Sequence, residues 1–100
     1  MAQIDNNRYQ LESAFMTGYW PLRKALATPE DTPEYWNQVY EMLTKFGEQF
    51  KNDYYAECIL LACVSDLEYR SKHYSRGDMS TKVLNLFRTS RGLLPVKEQE

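Results

Sequence analysis

Few side chains in this 100-residue chain have the type and spacing that chemistry needs. Its one histidine, His73, falls among Arg70, Lys72 and Arg76. A zinc site needs three or four Cys, His or carboxylate donors converging on one point, and no such set is spaced around His73. It reads as an exposed polar residue. Cys58 and Cys63 are five apart on one predicted helix, so their side chains diverge by about 140° and their Cα atoms lie beyond the roughly 7 Å a disulfide can span. Both read as small buried apolar residues, and Cys63, with no basic neighbour in sequence, reads as an inert thiol. Ser65-Asp66 and His73 share a helix, and no oxyanion hole accompanies them. Asp53 and Glu57 are four apart and share a helical face. Such a pair can do acid–base work or hold a hard cation. Here it flanks a helix start, where carboxylates stabilise the fold through the helix dipole. There is no glycine-rich phosphate loop. The expectation is a non-enzymatic protein with no catalytic or metal-binding residue, no cofactor and no small-molecule substrate.

Two features point to binding instead. Net charge is −2, but residues 1–69 carry five Lys/Arg against eleven Asp/Glu, whereas residues 70–100 carry seven against three. The basic residues Arg70, Lys72, Arg76, Lys82, Arg88 and Arg91, with Tyr69 and Tyr74 among them, form a segment suited to nucleic acid or an acidic partner, since cations and aromatics together can track a phosphate backbone. The second feature is an aromatic content of 14%, eight of those residues being Tyr. A domain this small cannot bury them all. Tyr19, Trp20, Tyr35, Tyr54, Tyr55 and Tyr69 are expected at helix ends or edges, where Tyr and Trp close to Arg are the usual anchors of protein interfaces. A protein partner or self-association is the leading expectation, and nucleic-acid binding the alternative.

The elements that must position these residues are helices. Helix formers dominate and no alternating strand pattern appears. The longest apolar run, Cys58 to Val64, covers nearly the whole circumference of a helix and predicts one covered on every side. Its seven residues fall far short of the roughly 20 that cross a bilayer, and the first ten residues lack the basic start and apolar core of a secretory signal, so a cytoplasmic protein without a membrane is expected. Asp5 and its neighbours offer caps for a first helix carrying Leu11, Ala14 and Phe15. Gly18 is expected to end that helix, Trp20 to be extended before Pro21, and Pro21 to open a short turn to Ala27. Thr32 as cap and Pro33 as first residue predict a second helix to about Lys51, with the stripe Trp36, Val39, Tyr40, Leu43, Phe46 and Phe50. Continuing that stripe would put Asp53 and Glu57 on the core seam. A break at Asn52-Asp53, with Asp53 capping the next helix, avoids it. The third helix is expected from Tyr54 to about Tyr74, with Asp66–Arg70 and Glu68–Lys72 as solvated i,i+4 pairs. A fourth runs from Met79 to Ser90 and stops at Gly92. The whole reads as all-α, a small four-helix bundle-like domain over residues 1–92 with a central αα-hairpin, followed by a tail at 93–100 whose last residues are expected to be disordered.

The segment from Tyr35 to Lys72 resembles small uncharacterised α-helical proteins of phages and mobile elements in Gram-positive bacteria. They share an aromatic-rich helix, a tight turn, and an apolar helix ending in a pattern matched here by Asp66-Leu67-Glu68-Tyr69-Arg70. The resemblance covers about a third of the chain and assigns no residue a role. It implies no activity; the context it adds is that small phage proteins of this size often bind and modulate a host complex, an inhibitor of a host defence nuclease being one example.

Overall fold

The computed structural model describes residues 4–30, 32–50, 53–71 and 78–96. Among them are four helices and no strand: α1 (Asn6–Ala25), α2 (Pro33–Glu48), α3 (Tyr54–Ser71) and α4 (Asp78–Ser90). The fold is a small all-α bundle. The starts of α1, α2 and α3 follow the capping rules. Asp5 accepts the Arg8 N–H at 2.7 Å, and Thr32 accepts the Tyr35 N–H at 3.2 Å with Pro33 at the first helical position. Asp53 accepts the Ala56 N–H at 2.9 Å. The break before α3 is therefore real, but it does not keep the carboxylates off the core: Glu57 is buried and is satisfied by pairing with Arg91 instead. The proposed left-handed Asn52 lies outside the described residues.

Side-chain meetings give the direction of each helix. Phe15 of α1 meets Phe50 and Phe46 (ring centroids 5.1 and 5.3 Å), whereas the Tyr35 hydroxyl donates to the Leu26 carbonyl at 2.9 Å, so α1 and α2 are antiparallel. Arg8 reaches Asp53 and Arg23 reaches Asp66, so α1 and α3 are parallel. Glu57 meets Arg91 and Glu68 meets Met79, so α3 and α4 are antiparallel. The order is up-down-up-down. α2 and α3 form the central hairpin, with Val39, Leu43, Leu60, Val64 and Leu67 almost wholly buried between the layers. α1 packs on one side of that hairpin and α4 on the other. Among the described residues the backbones of α1 and α4 do not approach each other.

Three expectations are corrected. First, α1 does not stop at Gly18 but runs unbroken to Ala25, with Pro21 inside it. Gly18 is there for proximity: a Cβ on it would lie 2.7 Å from the Phe46 ring, so its absence lets α1 close on α2. Pro21 costs the helix one N–H donor. Burial of Leu22 and Leu26 on the following turn holds the chain helical. Second, α3 is not covered all round. Leu60, Cys63 and Val64 are buried, Ile59 and Leu61 are half-buried, and Ala62 is exposed, because three neighbouring helices leave one side open. Third, Glu68 is no solvated surface partner. It is 2% exposed, and its carboxylate accepts the Met79 and Ser80 N–H groups at 2.9 and 3.0 Å. It caps α4 from another helix, satisfying donors that a helix start leaves open. Lys72, its expected partner, lies outside the described residues. At the other end α4 stops at Gly92, whose φ of 78° favours a residue without Cβ, and the Leu93 N–H closes onto the Arg88 carbonyl at 2.9 Å.

Candidate functional site

Three helix ends converge where α1 and α3 begin and α4 finishes. Asp53, capping α3, receives both terminal nitrogens of Arg8, whose Nε also donates to Glu12 at 2.6 Å. Burial acts to raise the Asp53 carboxyl, but the Arg8 guanidinium and the Ala56 N–H outweigh it and hold the group below the usual carboxylate range. One turn on, Glu57 is 6% exposed and takes Arg91 at 2.8 Å. Asp53 and Glu57 thus do not face a shared cation or substrate, because each is closed by its own arginine. Among the described residues no group of three or more His, Cys, Asp or Glu is placed to hold a metal ion.

These two clamps frame a pair of tyrosines. Tyr54 is 71% exposed and Tyr55 47%. The Arg91 guanidinium carbon stands 5.6 Å from the Tyr54 ring centroid, and that of Arg8 stands 5.9 Å from the Tyr55 centroid. Each ring lies beside a cation, and each cation is fixed by a carboxylate. The Tyr54 phenol is pushed up in pKa, chiefly by its contact with the Cys58 thiol. The result is an exposed aromatic surface whose neighbours are already ordered, so docking against it costs little side-chain entropy.

The other sequence-predicted aromatics do not join it, and Tyr35, with its hydroxyl donating to the Leu26 carbonyl, is a buried core residue and not an edge one. Tyr69 is exposed but 15 residues further along α3, about 22 Å of helix away. Trp20 is 60% exposed on the outer side of α1, its ring 5.8 Å from the Lys24 Nζ. Tyr19 is half-buried and stacks on Phe15 at 5.5 Å, so it belongs to the core edge and not to an interface. Burial and the adjacent Cys63 thiol push its phenol upward in pKa. Cys63 itself has a basic neighbour after all, the Arg23 Nη1 at 3.5 Å, supplied by a residue 40 positions earlier. Arg23 also binds Asp66, and with Arg70 it holds that carboxyl below the usual range against a smaller opposing effect of burial.

The basic segment is largely engaged within the fold. Arg70 pairs with Asp66 at 3.1 Å, Arg91 with Glu57, and Arg88 donates to the Leu94 carbonyl at 2.7 Å. Lys82 sits 4.5 Å over the Tyr40 ring. Lys72, His73 and Arg76 lie outside the described residues. A cleft of about 400 Å³ between α2 and α4 is lined by Thr44, Gly47, Glu48, Glu57, Leu86 and Phe87. No helix among the described residues is long and apolar enough to cross a membrane.

Sequence reasoning missed Arg8, Arg23 and Glu68 as positioning residues. Arg8 had a signal: it falls on the same face as Leu11 and Phe15, where a cation needs a partner. Comparison with protein-family models, with curated proteins and with solved structures gives no match in any of the three.

Proposed function

We propose that this chain is a non-enzymatic protein-interaction module and that Tyr54 and Tyr55 are its anchors. The observation that carries the reading is that pair of exposed rings, each beside an arginine locked by a carboxylate. Aromatic and arginine side chains held in place are what interface hot spots are made of. In its more specific form, which follows the resemblance to phage and mobile-element proteins, the partner is a host protein complex in the cytoplasm that the chain modulates, a defence nuclease being one candidate. The second reading is nucleic-acid binding, favoured by the excess of Lys and Arg after residue 69.

Affinity capture on the immobilised chain separates the two. The wild type is expected to retain a defined protein set at about 0.5 M salt, and the Tyr54→Ala/Tyr55→Ala variant to lose it, because an aromatic-centred interface is little affected by salt while phosphate contacts weaken steeply. Retention of nucleic acid that disappears as salt rises, unchanged in the double variant, would favour the second reading. Equal protein retention by wild type and variant would refute the first.

A further inference from the structure

Two side chains of α4 read a stretch of this chain's own backbone. Past Gly92 the chain returns along the helix, and the Asn85 carboxamide takes both polar groups of one residue. The Val96 N–H donates to its Oδ1 at 2.7 Å, and its Nδ2 donates to the Val96 carbonyl at 2.9 Å. One turn along α4, Arg88 Nε donates to the Leu94 carbonyl at 2.7 Å. A carboxamide carries one donor group and one acceptor, so it pairs with a residue's N–H and C=O much as the opposite residue of an antiparallel strand does. Val83 and Phe87 are the buried residues of α4, and at 100° per residue Asn85 lies about 160° round the helix from each of them. The contact is therefore on the outer side of α4, away from the hairpin.

The shape of the returning segment fits such a reader. Leu94 precedes Pro95, which pushes it toward extended geometry. The groups that α4 takes belong to residues 94 and 96, and alternate residues of an extended chain present their polar groups on one edge. The groups of residue 95 point to the other edge, and there Pro95 has no N–H to leave unpaired. Side chains add little, since Leu93, Leu94 and Val96 are 49%, 82% and 44% exposed. The strap is held by its backbone and by the extended shape that proline imposes. Another chain segment of the same shape can make the same three contacts.

We propose that the outer face of α4, through Asn85 and Arg88, is a binding site for an extended peptide with proline immediately before the residue that Asn85 reads, and that residues 93–96 are its autoinhibitory occupant. A tether this short holds the strap at an effective concentration in the millimolar range. A peptide arriving from another chain must compete with that, so the closed protein binds it weakly and an opened one binds it well. The site does not involve Tyr54 or Tyr55, so it stands or falls apart from them.

The full-length, 15N-labelled chain, titrated to about 5 mM with a peptide of the sequence of residues 92–100 and followed by NMR, tests the proposal. The signals read are the Asn85 side-chain NH2 and the α4 amides. Val96→Pro removes the strap's N–H and leaves the site intact. It is expected to shift the Asn85 NH2 signals and to bind the peptide at least tenfold more tightly than the wild type does, with those signals returning to their wild-type positions. Gly92→Val, which opposes the turn at φ 78°, opens the strap by a second route and is expected to do the same. Val96→Ala keeps the N–H and is expected to bind as weakly as the wild type. Adding Asn85→Ala to Val96→Pro is expected to abolish binding, and so is placing proline at position 96 of the peptide. Three results would overturn the proposal: no binding to either opened chain, equal affinity for the opened and wild-type chains, or binding that survives Asn85→Ala.

Discussion

The two sides of the central hairpin are held by different physics. On the α1 side the joint is aromatic: Phe15 is 1% exposed and touches Tyr19, Phe46 and Phe50, and the ion pairs Arg8–Asp53 and Arg23–Asp66 lie at the partly exposed margin. On the α4 side Val83 and Phe87 supply the apolar packing, and two buried carboxylates of α3 decide how α4 is placed. Glu57 grips Arg91 just past its end, and Glu68 closes its start. Apolar packing tolerates small shifts in register, whereas a carboxylate receiving two adjacent N–H groups does not. α1 is therefore attached by area and α4 by position.

Substitutions can break that comparison. Phe15→Ala has the largest expected effect, about 3–5 kcal/mol of stability in urea denaturation, because it removes a fully buried ring and leaves a cavity between α1 and α2. Glu68→Ala is expected to cost about 1–3 kcal/mol, since it removes the carboxylate that two part-buried N–H groups at the α4 start donate to. If Glu68→Ala proved neutral, the positional account of α4 would be wrong. Gly18→Ala is smaller and has two opposing parts. Alanine favours a helix by about 1 kcal/mol over glycine, while its Cβ must displace the Phe46 ring at a cost of about 1–3 kcal/mol. A net loss is expected, and a gain in thermal midpoint would show that α1 and α2 do not approach so closely.

Acid sharpens the contrast with the smallest effect. Asp53 and Asp66 both have lowered pKa values when folded, so their contribution is whole above the ordinary 3.8 and is lost as pH falls through the lower folded values. Stability followed by the fluorescence of Trp20 and Trp36 is expected to be level from pH 7 to about 5 and to decline below 3.8. Arg8→Gln is expected to lower stability at pH 7 and to make the decline below 3.8 shallower, because Asp53 loses its largest pKa-lowering partner and its folded pKa moves back toward the unfolded one. A decline as steep as in the wild type would remove the Arg8–Asp53 pair from the account.

What could be read from the sequence was local. Thr32-Pro33, the Val39–Leu43–Phe46–Phe50 stripe and the Asp53 cap sit within a few residues of what they act on. What could not be read depends on partners far along the chain. Gly18 looks like a helix stop until Phe46 arrives 28 residues later. Glu68 looks like a surface residue because Lys72 is four positions away, while its true ligands begin at Met79 on another helix. Tyr19 looks like an edge aromatic because its stacking partner Phe15 is itself buried by residues of α2. The Tyr54–Tyr55 pair was legible as exposed, but its two arginine neighbours, from positions 8 and 91, were not.

The central claim is that α1 and α4 dock separately on one hairpin. Native-state hydrogen exchange, residue by residue, tests it most directly. With the hairpin amides of Val39, Leu43, Leu60 and Val64 as the slowest, Phe15→Ala is expected to speed exchange across α1 and leave α4 near its wild-type order, and Glu68→Ala to do the reverse. If either substitution accelerated α1 and α4 together and equally, the two helices would be one cooperative unit and the claim would fail.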